Sequence, residues 1–136
     1  MDWRKIAAED LRQYPYLKAG YKHNEDRIRD LDERIARLTA SGIAADDDRI
    51  IECVANRDKL KLSNGATKPL IKAVEESLKL LSDEERSALT RVYINNEKKA
   101  IDRLCNELGY ERTKVYDIKK IALRKFTVAM YGIESL

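Results

Sequence analysis

Apolar residues recur at intervals of three and four along almost the whole of this 136-residue chain. That spacing lines one face of a helix, whereas a half-buried strand needs strict alternation. Only five glycines and two prolines are present, and Leu, Ile, Ala, Lys, Arg and Glu dominate, which favours helices and disfavours a turn-rich sheet protein. The fold class expected is all-α: an N-terminal helical arm over residues 1–65, as a long helix, hairpin or coiled coil, and a four-helix C-terminal domain over residues 66–136. A chain of this length buries a core without disulfide or metal staples.

The few interruptions divide the pattern. Trp3, Ile6, Ala7 and Leu11 mark a short first helix over residues 2–12. Pro15 disfavours a helical Tyr14 but suits the first turn of a new helix, which predicts a second helix from Pro15 to Ala40. Its stripe is Leu17, Tyr21, Asn24, Ile28, Leu31, Ile35 and Leu38, a heptad pattern with Asn24 as the one polar member. The stripe fits an antiparallel hairpin within one chain. The same stripe also suits a parallel homodimer seam in which Arg27 and Asp32 pair between chains and Asn24 fixes the register.

Ser41-Gly42 ends that helix, and Asp46-Asp47-Asp48 stands where a third begins. Three consecutive carboxylates cannot all face one ion, so the triplet reads as helix-start chemistry and not as a metal site. The third helix is predicted over residues 49–62, with Ile50, Ile51, Val54 and Leu60 or Lys61 inward, and Ser63-Asn64-Gly65 as a turn closing the arm. Thr67 and Pro69 then open a fourth helix, buried through Leu70, Ile71, Val74, Leu78 and Leu81. Ser82 and Glu85 have the spacing of a capping box for a fifth, with Leu89, Val92 and Tyr93 inward, broken at Asn95-Asn96.

Charge is distributed unevenly. Between Lys98 and Phe126 nine cations oppose four acids, a net +5 that leaves −2 for the rest of a +3 chain. A basic end on a near-neutral body is the electrostatic footprint of a polyanion-binding surface. Cys53 and Cys105 are isolated, which fits free thiols in a reducing compartment. Met1-Asp2-Trp3-Arg4-Lys5 leads into no apolar run and no segment nears the length of a membrane span, so a cytoplasmic protein is expected. His23 is the one histidine and lies in the heptad helix, remote in sequence from both cysteines, and no glycine-rich phosphate loop occurs. Neither an enzyme nor a bound metal or cofactor is expected.

The tightest spacing surrounds Gly109. Two helices crossing through a short turn need a left-handed residue just past the first helix, and glycine takes that conformation at no steric cost. Cys105, four residues earlier, is small enough for a close crossing; Leu104 and Leu108 flank it; Tyr110 plugs the turn; Val115 and Ile118 point inward from the second helix. The spacing over Ile101–Phe126 is that of a helix-turn-helix. Its second helix offers Arg112, Thr113, Tyr116 and Asp117 at the exposed positions that enter a major groove. Arginine forks onto guanine, threonine meets a thymine methyl or base edge, and aspartate accepts from cytosine or orients Arg112 or Lys114. Lys98, Lys99, Lys114, Lys120 and Arg124 suit phosphate contacts.

With those residues in view, the C-terminal part resembles region 4 of bacterial sigma factors. There too two helices precede a helix-turn-helix, and a basic helix ends in a run like Ala122-Leu123-Arg124-Lys125-Phe126. The whole chain resembles the ArpU/RinA-type phage transcriptional regulators, through that part and through Leu11-Arg12-Gln13-Tyr14-Pro15 near the start. The resemblance implies a sequence-specific activator of phage or prophage late genes in a bacterial cytoplasm, acting on double-stranded DNA beside host RNA polymerase. It carries DNA contacts onto Arg112, Thr113, Tyr116 and Asp117, although Tyr116 departs from the polar residue usual there. Two other readings stand beside it: a small terminase-like protein that recognises packaging sites, and a helical protein-interaction module without specific DNA binding.

Overall fold

A computed structural model describes residues Met1–Ile133; the last three residues of the expected 66–136 domain lie outside the described residues. Those described are all-helical: α1 (Trp3–Ala40), α2 (Asp48–Lys79), α3 (Asp83–Leu89), a π-helical turn (Thr90–Ile94), α4 (Ala100–Leu108) and α5 (Arg112–Tyr131). None of these helices is long and apolar enough to cross a membrane.

Two predicted breaks are absent. Pro15 lies inside α1, so the expected short helix over 2–12 and its successor from Pro15 are one element. An interior proline costs a helix about 3 kcal/mol. Here the turns before it bury Ala7, Ala8 and Leu11, and the turns after it half-bury the whole heptad stripe from Leu17 to Leu38. Packing on both sides of Pro15 outweighs the local penalty. Ser63-Asn64-Gly65 likewise lies inside α2 and is no turn. Thr67 does not cap a new helix; its hydroxyl donates to the Ser63 carbonyl one turn back, 3.0 Å away. Leu70 and Ile51, expected inward, are exposed, while Ile50 and Cys53 are buried.

The chain divides into two compact units: Met1–Pro15 with the chain from Ile71 onward, and Tyr16–Leu70. The first fifteen residues therefore belong with the C-terminal part and not with the arm.

Within Tyr16–Leu70 the two helices run antiparallel. Asn24 Nδ2 donates to Asn64 Oδ1 at 3.2 Å, Asn64 Nδ2 donates to the Tyr21 carbonyl at 3.0 Å, and Arg57 pairs with Asp32 at 3.1 Å. The seam's polar member and the Asp32 carboxylate are thus both engaged by α2 of the same chain. Asp47 opens α2 by accepting the Arg49 amide at 2.9 Å, the helix-start role the acidic triplet predicts. Its carboxyl is held below the ordinary aspartate value chiefly by the Arg49 side-chain hydrogen bond.

Asn64 is 7 % exposed, so its amide must be satisfied by protein. Replacing it with Ala removes the acceptor of the half-buried Asn24 amide and should lower stability by about 1–3 kcal/mol in urea unfolding. Replacing Asn24 and Asn64 together with Leu should be near neutral or stabilising, because no donor is then left unpaired. A single-variant cost below about 0.5 kcal/mol would mean the pair is solvated.

In the other unit, Ala7, Ala8, Leu11, Val74, Leu81, Leu89, Tyr93, Ala122 and Phe126 form one core. Trp3 packs against Tyr131 in a tilted arrangement with ring centroids 5.1 Å apart, and the Tyr131 hydroxyl donates to Asp10. Burial first, and that carboxylate second, push the Tyr131 phenol up to about 12. The Ser82–Glu85 capping box is complete: the Glu85 amide donates to Ser82 Oγ at 3.2 Å and the Ser82 amide to Glu85 Oε1 at 2.9 Å. Lys125 of α5 reaches the same buried carboxylate at 2.9 Å, joining α5 to the start of α3.

Candidate nucleic-acid interface

The basic end is built on a second core beside the first. Ala88, Leu104 and Val115 are fully buried, and Ile101, Cys105, Leu108, Tyr110 and Ile118 pack around them. Leu104 comes from α4 and Val115 from α5, so one apolar cluster fixes both helices against α3. The turn between them depends on Gly109, which has φ +72° and donates its amide to the Cys105 carbonyl at 2.9 Å. Tyr110 follows it and donates its hydroxyl to Glu84 of α3 at 2.7 Å, a bond that raises its phenol above the ordinary value.

A β-carbon at Gly109 would meet nothing within 4 Å, so the penalty for a side chain there is purely conformational. Gly109→Ala should destabilise by about 1–2 kcal/mol. The same change at Gly20, inside α1 with equally open space, should stabilise by about 0.5–1 kcal/mol. Opposite signs in thermal melts are the expected result; equal signs would contradict the left-handed turn.

The approach to α4 is irregular. Hydrogen bonds widen over Thr90–Ile94, and Asn96 and Lys99 both have positive φ, +48° and +56°. Asparagine tolerates that region, whereas lysine is strained there. Ion pairs hold the segment: Arg91 bonds Glu107 and, at 2.9 Å, Glu97, which also accepts from Arg103 at 3.1 Å. Neither Lys99 at the start of α4 nor Glu111 at the start of α5 makes a side-chain cap, in contrast to Ser82 at α3.

On α5, Arg112, Thr113, Tyr116 and Asp117 are all exposed, opposite the buried Val115. Lys98, Lys99, Lys114, Lys120 and Arg124 are exposed as well. Lys114 Nζ sits 3.8 Å from the centre of the Tyr110 ring. Two cations lie near the Tyr116 ring, the Arg112 guanidinium 5.8 Å and the Lys119 ammonium 5.3 Å from its centre. These are the four- and three-residue neighbours of Tyr116 on the helix surface.

The carboxylate partner of Arg112 is Asp102 in the first turn of α4, not Asp117 as weighed from the sequence. Its charge is the main cause of a guanidinium pKa raised above the ordinary arginine value, with Tyr116 second. Asp102 and Lys119 are functional candidates that the sequence pattern did not single out. Asp102 precedes Arg112 by ten residues across the turn, and that spacing is the signal they leave. Among the described residues no group of His, Cys, Asp or Glu is arranged to hold a metal ion. Comparison with protein-family models, with curated proteins and with solved structures found no match for this chain.

Proposed function

We propose that this chain is a sequence-specific double-stranded DNA-binding transcription regulator, with α4 and α5 as a helix-turn-helix in the manner of sigma factor region 4. The observation that carries the reading is the split of α5 at its N-terminal end. Val115 is buried against Leu104, while Arg112, Thr113, Tyr116 and Asp117 are all exposed, as are Lys98, Lys99 and Lys114. A recognition helix needs that arrangement: base-reading side chains at its first turns and cations at the flanks for phosphate. The uncapped starts of α4 and α5 add backbone amides and positive dipole ends on the same elements. Along the lines of the ArpU/RinA-type regulators, the role is activation of phage or prophage late genes beside host RNA polymerase.

Selection of sites from a random duplex pool at near-physiological salt tests the reading. Enrichment of one motif, relaxed in an Arg112→Ala control, is the expected result. Retention of DNA that depends only on salt, with no motif, would leave a charged face without sequence recognition.

A further inference from the structure

We propose that Asp102 is a positioning residue that sets the sequence discrimination of Arg112, an inference that rests on the DNA-binding reading above. Arg112 is the first residue of α5, and its long side chain is 59 % exposed, so by itself it would sample many rotamers. Two contacts from different elements restrict it. Asp102 of α4 accepts a hydrogen bond from Arg112 Nη1, and the Tyr116 ring lies beneath the guanidinium. Guanidinium has five N–H donors, so one bond to Asp102 leaves enough for two parallel bonds to a guanine edge. The fork is ordered before DNA arrives, and the entropy lost on base contact is correspondingly smaller.

The pair is a poor stabiliser of the fold, since both partners are more than half exposed and water screens them. A carboxylate facing phosphates also weakens binding to any duplex by repulsion. Asp102 therefore opposes general affinity while favouring the one contact that reads a base. Its removal should shift the two quantities in opposite directions, which neither a structural residue nor a simple competitor for Arg112 would do.

The test uses the full chain, the selected duplex and a scrambled duplex, with Asp102→Asn, Arg112→Ala and the double variant. Asp102→Asn should shift the melting curve only slightly, the scale of one screened charge at a helix start, and tighten binding to the scrambled duplex. The ratio of the two affinities should fall about two- to tenfold, the scale of one immobilised long side chain. In the Arg112→Ala background the same change should leave the ratio unaltered, and Asp102→Glu should restore part of it. An unchanged ratio, or an equal fall in both backgrounds, would overturn the inference. The Arg112 Nε–H resonance of the free protein gives a second readout that needs no DNA. It should report an ordered side chain that becomes mobile in Asp102→Asn, and a side chain already mobile in the unaltered protein would refute the positioning role. If the unaltered protein does not distinguish the two duplexes, the DNA reading fails and the discrimination role falls with it; the resonance still decides whether Asp102 orders Arg112.

Discussion

Phe126→Ala should cost the folded protein about 3–5 kcal/mol, the largest loss expected of any single truncation in the chain. Phe126 is the largest fully buried side chain, at 0 % exposure, and its cluster draws on α1, α2, α3, the π-helical turn and α5. The loss combines the transfer free energy of the ring with a cavity that five separate elements cannot all close on. Leu11→Ala should behave similarly, at about 2–5 kcal/mol, because Leu11 is equally buried in that cluster. Urea unfolding followed at the Trp3 fluorescence and by far-ultraviolet dichroism would measure both. Leu11 is the diagnostic case. Read as part of a detachable arm, it should leave the C-terminal unit intact when truncated; as a core residue, it should lower the stability of α3 and α5 together. A cost under about 1 kcal/mol for Leu11→Ala would place the first fifteen residues outside the core.

Helix content was legible because apolar residues recur at three- and four-residue intervals, and the ends legible in advance were those with local chemistry. Ser82 and Glu85 satisfy each other's amides within one turn, so no distant residue is needed to form the box. Gly42 and Gly109 mark ends because both adopt positive φ. Pro15 and Ser63-Asn64-Gly65 misled for the opposite reason. Their local preference is for a break, but what holds them helical lies far off in sequence: Leu11 in a core that includes Phe126, and Asn24 and Tyr21 bonded to Asn64. Propensity is a weak prior that burial and paired amides override. The first fifteen residues and the residues after Ile71 share a core for the same reason, one that no local window contains.

At the candidate interface, Leu104 and Val115 are buried, with Cys105, Leu108, Tyr110 and Ile118 packed around them. What spacing does not carry is the pairing of charges between helices. Asp117 is nearer to Arg112 in sequence, yet five residues on a helix separate side chains by well over a full turn, while the reversal at Gly109 brings Asp102 back to Arg112. Tyr110 shows the same limit: the turn plug was legible, its bond to Glu84 was not.

Arg112→Ala and Lys120→Ala remove one positive charge each from α5, and they should fail in different ways. Arg112, at the helix start, has the fork to take two acceptors of a guanine, so its loss should weaken the selected duplex by about 1–3 kcal/mol, roughly 5- to 150-fold, and relax preference at one base position. Unrelated duplexes should lose far less. Lys120 is exposed two turns further on, where a lysine offers a point charge and no fixed geometry. Its loss should weaken every duplex by a similar factor and reduce the salt slope by about one. Titrating both variants against selected and scrambled duplexes at several salt concentrations separates these signatures. Equal effects on both duplexes from Arg112→Ala would make Arg112 a phosphate contact. If neither variant altered binding, the DNA face would lie elsewhere than the exposed side of α5. The contrast between two like charges carries the decision because a merely basic surface responds alike to both, whereas a recognition helix cannot.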